Sequence, residues 1–197
     1  PMIVDRTVEG RSLLQALDGG LLVEDNQGCL WPITASQSPD VETLNNDFQY
    51  LDADKLVEQL RGEFGTEFEI VRTPHYLICT SAGQGYGEWC GDLFERLYGG
   101  FHRFWKERMP GLQEQNRPLV AIAFGTSTEY QKFQAIDAQG QVALAQGYFN
   151  ARTNRMVLFD QSGPDSGNRK RTESDVHKQA LRQPALITTV IHEAVHQ

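Results

Sequence analysis

Pro184-Ala-Leu-Ile-Thr-Thr-Val-Ile-His-Glu-Ala-Val-His-Gln197 is the stretch on which the reading of this chain turns. Within it, His192-Glu193-x-x-His196 is the H-E-x-x-H pattern that, on a helix, makes half of a zinc site. Pro184 stands where a first helical residue tolerates proline, because no intrahelical N–H bond is lost there. Leu186, Ile187, Val190, Ile191, Ala194 and Val195 then recur at helical spacing and predict one apolar stripe. Thr189, His192, Glu193 and His196 fall on a different stripe of the same helix. The two histidines are one turn apart on one face, so both imidazoles can reach a single ion. Glu193 lies beside them, placed to take a proton from water that the metal activates. A plain amphipathic helix with two solvated histidines is the competing reading, and the separation of motif face from apolar face argues against it. The pattern supplies two ligands, whereas catalytic zinc takes three protein ligands and keeps a position open.

Composition sets the class. A chain of 197 residues suits one ordinary domain, or one domain with a small appendage. Its 40% hydrophobic and 22% charged content is that of a globular protein rather than a disordered one. The net charge of −8 argues against a nucleic-acid partner, whose phosphates call for a basic patch. The longest apolar run, Leu119 to Phe124, is far too short to span a bilayer. The chain opens on Pro1 rather than methionine, as it would after removal of a leader by the cell or in cloning. Cys29, Cys79 and Cys90 show no metal spacing, and a Cys79–Cys90 bridge is open on sequence grounds.

From the N-terminus, residues 3–33 read as a small β-meander. Short strands Ser12–Ala16 and Leu21–Glu24 flank Asp18-Gly19-Gly20, and Cys29–Ile33 follows Asn26-Gln27-Gly28. Such turns favour positive φ and signal hairpins. A polar linker follows over Thr34–Asp47. This divides the chain into an N-terminal meander and linker, residues 1–48, and a larger domain, residues 49–197.

The larger domain opens with a helix predicted over Ala53–Glu63, capped by Asp52. Phe68–Thr80 reads as strand, interrupted at Pro74, with His75 a packed or solvated strand histidine. The longest helix is expected over Gly87–Arg108. Trp89, Leu93, Phe94, Leu97, Phe101, Phe104 and Trp105 fall on one broad face, which reads as core. His102 lies at its edge as a surface residue.

Pro118–Phe124 is a buried strand by its continuous apolar run. Thr126-Ser-Thr-Glu129 resembles a capping box and starts a helix to Ile136. Gln146–Asn150 and Arg155–Asp160 predict a hairpin across Ala151–Asn154. A polar stretch, Gln161–Asp175, carries the basic triplet Arg169-Lys170-Arg171, a processing or docking site or, more simply, a solvated loop. His177 precedes the motif helix. The element order predicts an α+β fold in which a mixed sheet packs on helices.

Four segments together carry a family resemblance: His75-Tyr-Leu-Ile-Cys-Thr80, Trp89-Cys-Gly-Asp-Leu-Phe-Glu-Arg-Leu97, Gly147-Tyr-Phe-Asn-Ala-Arg-Thr-Asn-Arg155 and His192-Glu-Ala-Val-His-Gln197. In this order they resemble an uncharacterised bacterial family, known as a domain of unknown function, that looks like the gluzincin branch of zinc metallopeptidases. The resemblance implies a zincin-like domain with Zn2+ held by His192 and His196 and with Glu193 as general base. It implies a third ligand, a glutamate on a helix downstream of the motif, so the chain is expected to be the N-terminal portion of a longer protein. It also implies an exported protein of the cell envelope or exterior.

The leading expectation is thus a zinc-dependent peptidase acting on a peptide or protein substrate, incomplete in catalytic machinery as this chain stands. Tyr148 is the candidate transition-state stabiliser. The alternative is a non-catalytic peptide- or protein-binding scaffold that keeps the H-E-x-x-H helix, with a groove along the Gln146–Asn150 strand. A third possibility is a metal-binding protein whose coordination is completed by His177, His75 or an acidic side chain.

Overall fold

A computed structural model describes the backbone of residues 7–37, 41–112, 114–138, 146–161 and 171–196; the side chains of residues 37, 185, 186, 189, 193 and 196 lie outside that description. The fold is α+β, with an antiparallel three-stranded sheet, a mixed five-stranded sheet and five α-helices among the described residues. The chain separates into two compact units. One comprises residues 1–51 with the hairpin tip Ala151–Asn154, the other Asp52–Asn150 with Arg155–Gln197.

The first unit is the expected meander: β1 (Gly10–Gln15), β2 (Leu21–Asp25) and β3 (Leu30–Ile33), in that spatial order. Gly19 and Gly28 both take positive φ in the two turns, as their sequence contexts require. Asp25 fastens the second turn, its carboxylate accepting from the Gln27 and Cys29 amides and from the Trp31 indole, each at 2.9 Å. Glu24 is a buried charge, and its carboxylate accepts from the Arg11 guanidinium at 2.8 and 2.9 Å and from the Tyr50 hydroxyl at 2.9 Å. Such partners are what make burial of a carboxylate tolerable.

The second unit begins with α1 (Ala53–Phe64), where Asp52 accepts from the Lys55 amide as the N-cap. The expected Phe68–Thr80 strand is two strands, β4 (Glu69–Arg72) and β5 (Tyr76–Thr80), folded antiparallel about Pro74. Then come α2 (Gln84–Trp105), β6 (Leu119–Phe124), α3 (Ser127–Asp137), β7 (Gly147–Asn150), β8 (Arg155–Phe159), α4 (Glu173–Ala180) and α5 (Pro184–His196). The strand order is β4-β5-β6-β8-β7, with β5, β6 and β8 parallel and the outer two antiparallel to their neighbours.

Strand alternation sorts the sheet's side chains into two layers. Tyr76, Ile78, Leu119, Ala121, Ala123, Met156 and Leu158 join α2, α4 and α5 in one core. On the opposite face Phe124 meets Phe64 of α1 and Phe133 of α3, with ring centroids 5.2–6.5 Å apart. Cys79 and Cys90 are both buried and both free thiols. Cys90 belongs to the α2 core, while Cys79 alternates to the other face of β5, so the bridge left open by the sequence does not form.

Two expectations need correction. The aromatic stripe of α2 is core only in its first part: Trp89 and Phe94 are buried, but Phe101 is 40% and Phe104 52% exposed. The cause is length. A 22-residue helix spans about 33 Å, whereas the four- to six-residue strands beneath it reach only about 20 Å. The end of the helix outruns the sheet. The second correction concerns the polar stretch Gln161–Asp175, in whose last residues α4 begins. Thr172 and Asp175 form a reciprocal capping box, and Val176 and Ala180 seat the helix in the core.

Arg171 differs from the solvated loop residue expected of it. Its guanidinium pairs with the buried Asp160 at the end of β8 and reaches Gln179 of α4 at 3.3 Å. The rest of the triplet, Arg169 and Lys170, lies outside the described residues. Gly85, in the first turn of α2, faces the same junction. A Cβ there would stand 2.1 Å from the Arg171 carbonyl oxygen and 2.7 Å from the Thr172 carbonyl carbon, so only glycine admits this approach.

Candidate functional site

The motif helix α5 starts at Pro184, as expected, and packs against β7, β8, α2 and α4. Val190 and Ala194 are buried, and Ile187 packs against the same core. Val195, expected on the apolar stripe, is 61% exposed. One residue advances a helix by 100°, so with Ala194 seated inward Val195 turns out of the contact. His192 is exposed, on the side of the helix away from Val190 and Ala194. The backbone of residues 192–196 is helical and sets the two motif histidines one turn, about 6 Å, apart along the axis. The side chains of Glu193 and His196 lie outside the described residues.

Tyr148 sits elsewhere. It pairs with Val157 across the β7–β8 ladder, and its hydroxyl donates to the Asp137 carboxylate of α3 at 2.8 Å. Its ring lies 6.1 Å from that of Tyr130, also on α3. Burial, then the Asp137 carboxylate, raises its pKa well above that of an ordinary phenol. Alternation therefore turns the Tyr148 phenol toward α3, while Phe149, paired with Met156, shares the sheet face on which α5 packs. Phe149 is the β7 residue that sequence reading passed over. Its signal was the period-2 offset from Tyr148.

The other histidines lie on other elements, two of them against Tyr98. His177 is exposed on α4, one residue beyond the buried Val176. His75 is in the turn between β4 and β5, not in a strand. Its Nδ1 lies 2.7 Å from a Glu95 carboxylate oxygen, and its ring stacks on Tyr98 with centroids 3.9 Å apart. His102 meets Tyr98 at 4.3 Å. Among the described residues no group of three or more His, Cys, Asp or Glu side chains is placed to hold a metal ion. The Glu193 and His196 side chains are not among them.

Glu95 accepts from the Thr73 hydroxyl at 2.6 Å and the His75 amide at 2.8 Å as well as facing the imidazole. Partial burial pushes its pKa up, but these bonds from Thr73 and His75 outweigh it and hold the carboxyl below its ordinary value. A depressed folded-state pKa stabilises above the unfolded value, and that stability is lost as pH falls through the folded one. Glu95→Gln should therefore flatten the loss of stability below about pH 4.5, measured by urea denaturation as a function of pH. An unchanged acid limb would contradict this.

A cleft of about 620 Å³ runs along β4, lined by Arg61, Phe68, Glu69, Val71, Arg72 and Gln84. It draws on α1, β4 and the start of α2, and α5 contributes none of its described lining. No protein-family model, curated protein or solved structure matches the chain.

Proposed function

We propose that α5 is the metal-binding helix of a zinc-dependent, gluzincin-like metallopeptidase acting on a peptide or protein substrate. The observation that carries this reading is the H-E-x-x-H sequence on a helix whose opposite face is fixed in the core, with His192 outward. The donor chemistry fits. Two imidazoles at i and i+4 suit Zn2+, and exposure of His192 leaves access for an ion. These are two of the three protein ligands a catalytic site uses, and the family resemblance implies a glutamate as the third.

Zinc, when bound, supplies Lewis acidity toward the scissile carbonyl and toward water. His192 and His196 hold the ion. The Glu193 carboxylate accepts the proton of the attacking water and delivers it to the departing amine nitrogen, so the base becomes the acid within one cycle. β7 terminates the sheet among the described residues and packs on α5, an arrangement suited to an extended peptide aligned by strand addition. An exported protein is part of the same proposal.

The test is metal dependence of hydrolysis. In the native protein, a mixed fluorogenic peptide library should be cleaved, cleavage should cease after dialysis against a chelator, and stoichiometric zinc should restore it. Cleavage that persists through chelation would contradict the proposal, and a zinc-free protein that retains peptides without cleaving them would favour a binding scaffold.

A further inference from the structure

We propose that the end of α2 and the turn after it, Phe101–Leu112, form a docking surface for an anionic lipid bilayer. This stands apart from the peptidase reading and rests on different residues. Phe101, Phe104 and Met109 are 40%, 52% and 47% exposed, three large apolar side chains within nine residues. Arg103, Lys106 and Arg108 stand among them with Glu107 as the one acidic residue, in a chain whose net charge is −8. Arg108 is the basic side chain set beside an aromatic ring, while Arg103 and Lys106 project from the polar side of the helix end, opposite Phe101. The Arg108 guanidinium lies over the Phe104 ring at 4.1 Å and donates to the Phe104 carbonyl at 2.7 Å, placing charge and apolar surface side by side. Aromatic residues beside Lys and Arg on a helix are the composition of an interfacial element, with rings at the acyl boundary and cations among the headgroup phosphates.

The helix itself supplies a second, independent observation. Gly87 and Gly91 are required by packing, since a Cβ at each would come within 2.8 Å of Val71 and 2.7 Å of Thr73. Gly99 and Gly100 face open space, with nothing within 4 Å of a Cβ at either. Two adjacent glycines in a helix interior weaken it without any packing return, and Gly pairs are sites of bending. They lie at the base of the aromatic end and would let it tilt onto a flat surface.

A bilayer fits this patch better than a protein does. A specific protein interface needs roughly 1,000 Å² or more with shape complementarity, and half a dozen side chains at a helix end fall short of that. A lipid surface imposes no such shape. Within the screening distance of about 8–10 Å, Arg103, Lys106 and Arg108 outnumber Glu107 in this segment. Among the described residues no helix is long and apolar enough to cross a membrane.

The test is co-sedimentation of the full chain with vesicles of phosphatidylcholine alone or with about one-third phosphatidylglycerol. The wild type should partition to the anionic vesicles at least about tenfold more than to the neutral ones, and less as salt rises. Phe101→Ser/Phe104→Ser and Arg103→Glu/Lys106→Glu should each lose about tenfold, with unchanged circular dichroism because these side chains are exposed. As a readout independent of those variants, brominated lipid should quench part of the wild-type tryptophan fluorescence, and Trp105→Phe should abolish that quenching while the buried Trp89 remains unquenched. A wild type that stays in the supernatant with anionic vesicles, or variants that sediment like it, would overturn the proposal. Retention by an acidic protein in place of vesicles would do the same.

Discussion

Glu193→Gln should lower peptide hydrolysis by about 100- to 10,000-fold while leaving the zinc in place. The amide matches the carboxylate in size and preserves the helix, but it cannot accept the proton of the attacking water. The loss should therefore fall on kcat with KM little changed, the signature of an interaction made in the transition state. His196→Ala should behave differently, losing metal and activity together, because one imidazole and a water cannot replace a chelating pair. The pair of variants separates base from ligand. A Glu193→Gln protein that hydrolyses at the wild-type rate would exclude Glu193 as general base even if zinc is bound.

The second large effect is structural. Asp160→Ala should cost about 3–5 kcal/mol, the usual consequence of leaving one member of a buried ion pair without its counter-charge. Asp160 is 7% exposed at the end of β8, and Arg171 is the residue from which α4 departs. Burial lowers the pKa of the Arg171 guanidinium, and the Asp160 carboxylate is the counter-charge set against it. The pair ties the sheet to α4, and α4 in turn packs against both α2 and α5. Losing it should loosen the platform under the motif helix as well as the global fold. Urea denaturation gives the midpoint, and proteolysis near Arg171 reports the local effect. A midpoint within experimental error of the wild type would show that the junction is held by packing alone, with Gly85 against the Arg171 backbone carrying it.

What the sequence revealed and what it hid divide along physical lines. The meander, the β7–β8 hairpin, the Asp52 and Thr126 caps and the proline-led motif helix all rest on chemistry local to a few residues. Each was legible. The α+β class followed from their order. Hidden were features set by distance in the chain. The exposure of Phe101 and Phe104 depends on how far the sheet extends beneath α2, which no periodicity encodes. His75 belongs to Glu95, twenty residues on, and its turn position appears only when β4 and β5 fold back. Arg171 looks like part of a basic run until Asp160 is brought beside it.

For the candidate site, what sequence and structure share is the helix itself. Spacing puts His192 and His196 one turn apart on a helix, and the backbone over Pro184–His196 is helical. Tyr148 could not be placed by spacing, because a strand residue's role depends on which face its parity selects, and here parity selects α3 and Asp137. The α4 helix was within reach. Thr172-Glu-Ser-Asp175 is a capping-box sequence, with Val176 and Ala180 one turn apart behind it, but the polar residues before it disguised the start.

The most direct test of the central claim is the zinc content of the dialysed native protein and of its His196→Ala variant, by elemental analysis. The account predicts one zinc per chain in the wild type and none in the variant. A wild type free of zinc, or a variant that keeps it, would mean that His192 and His196 hold no metal and that the motif is only a helix.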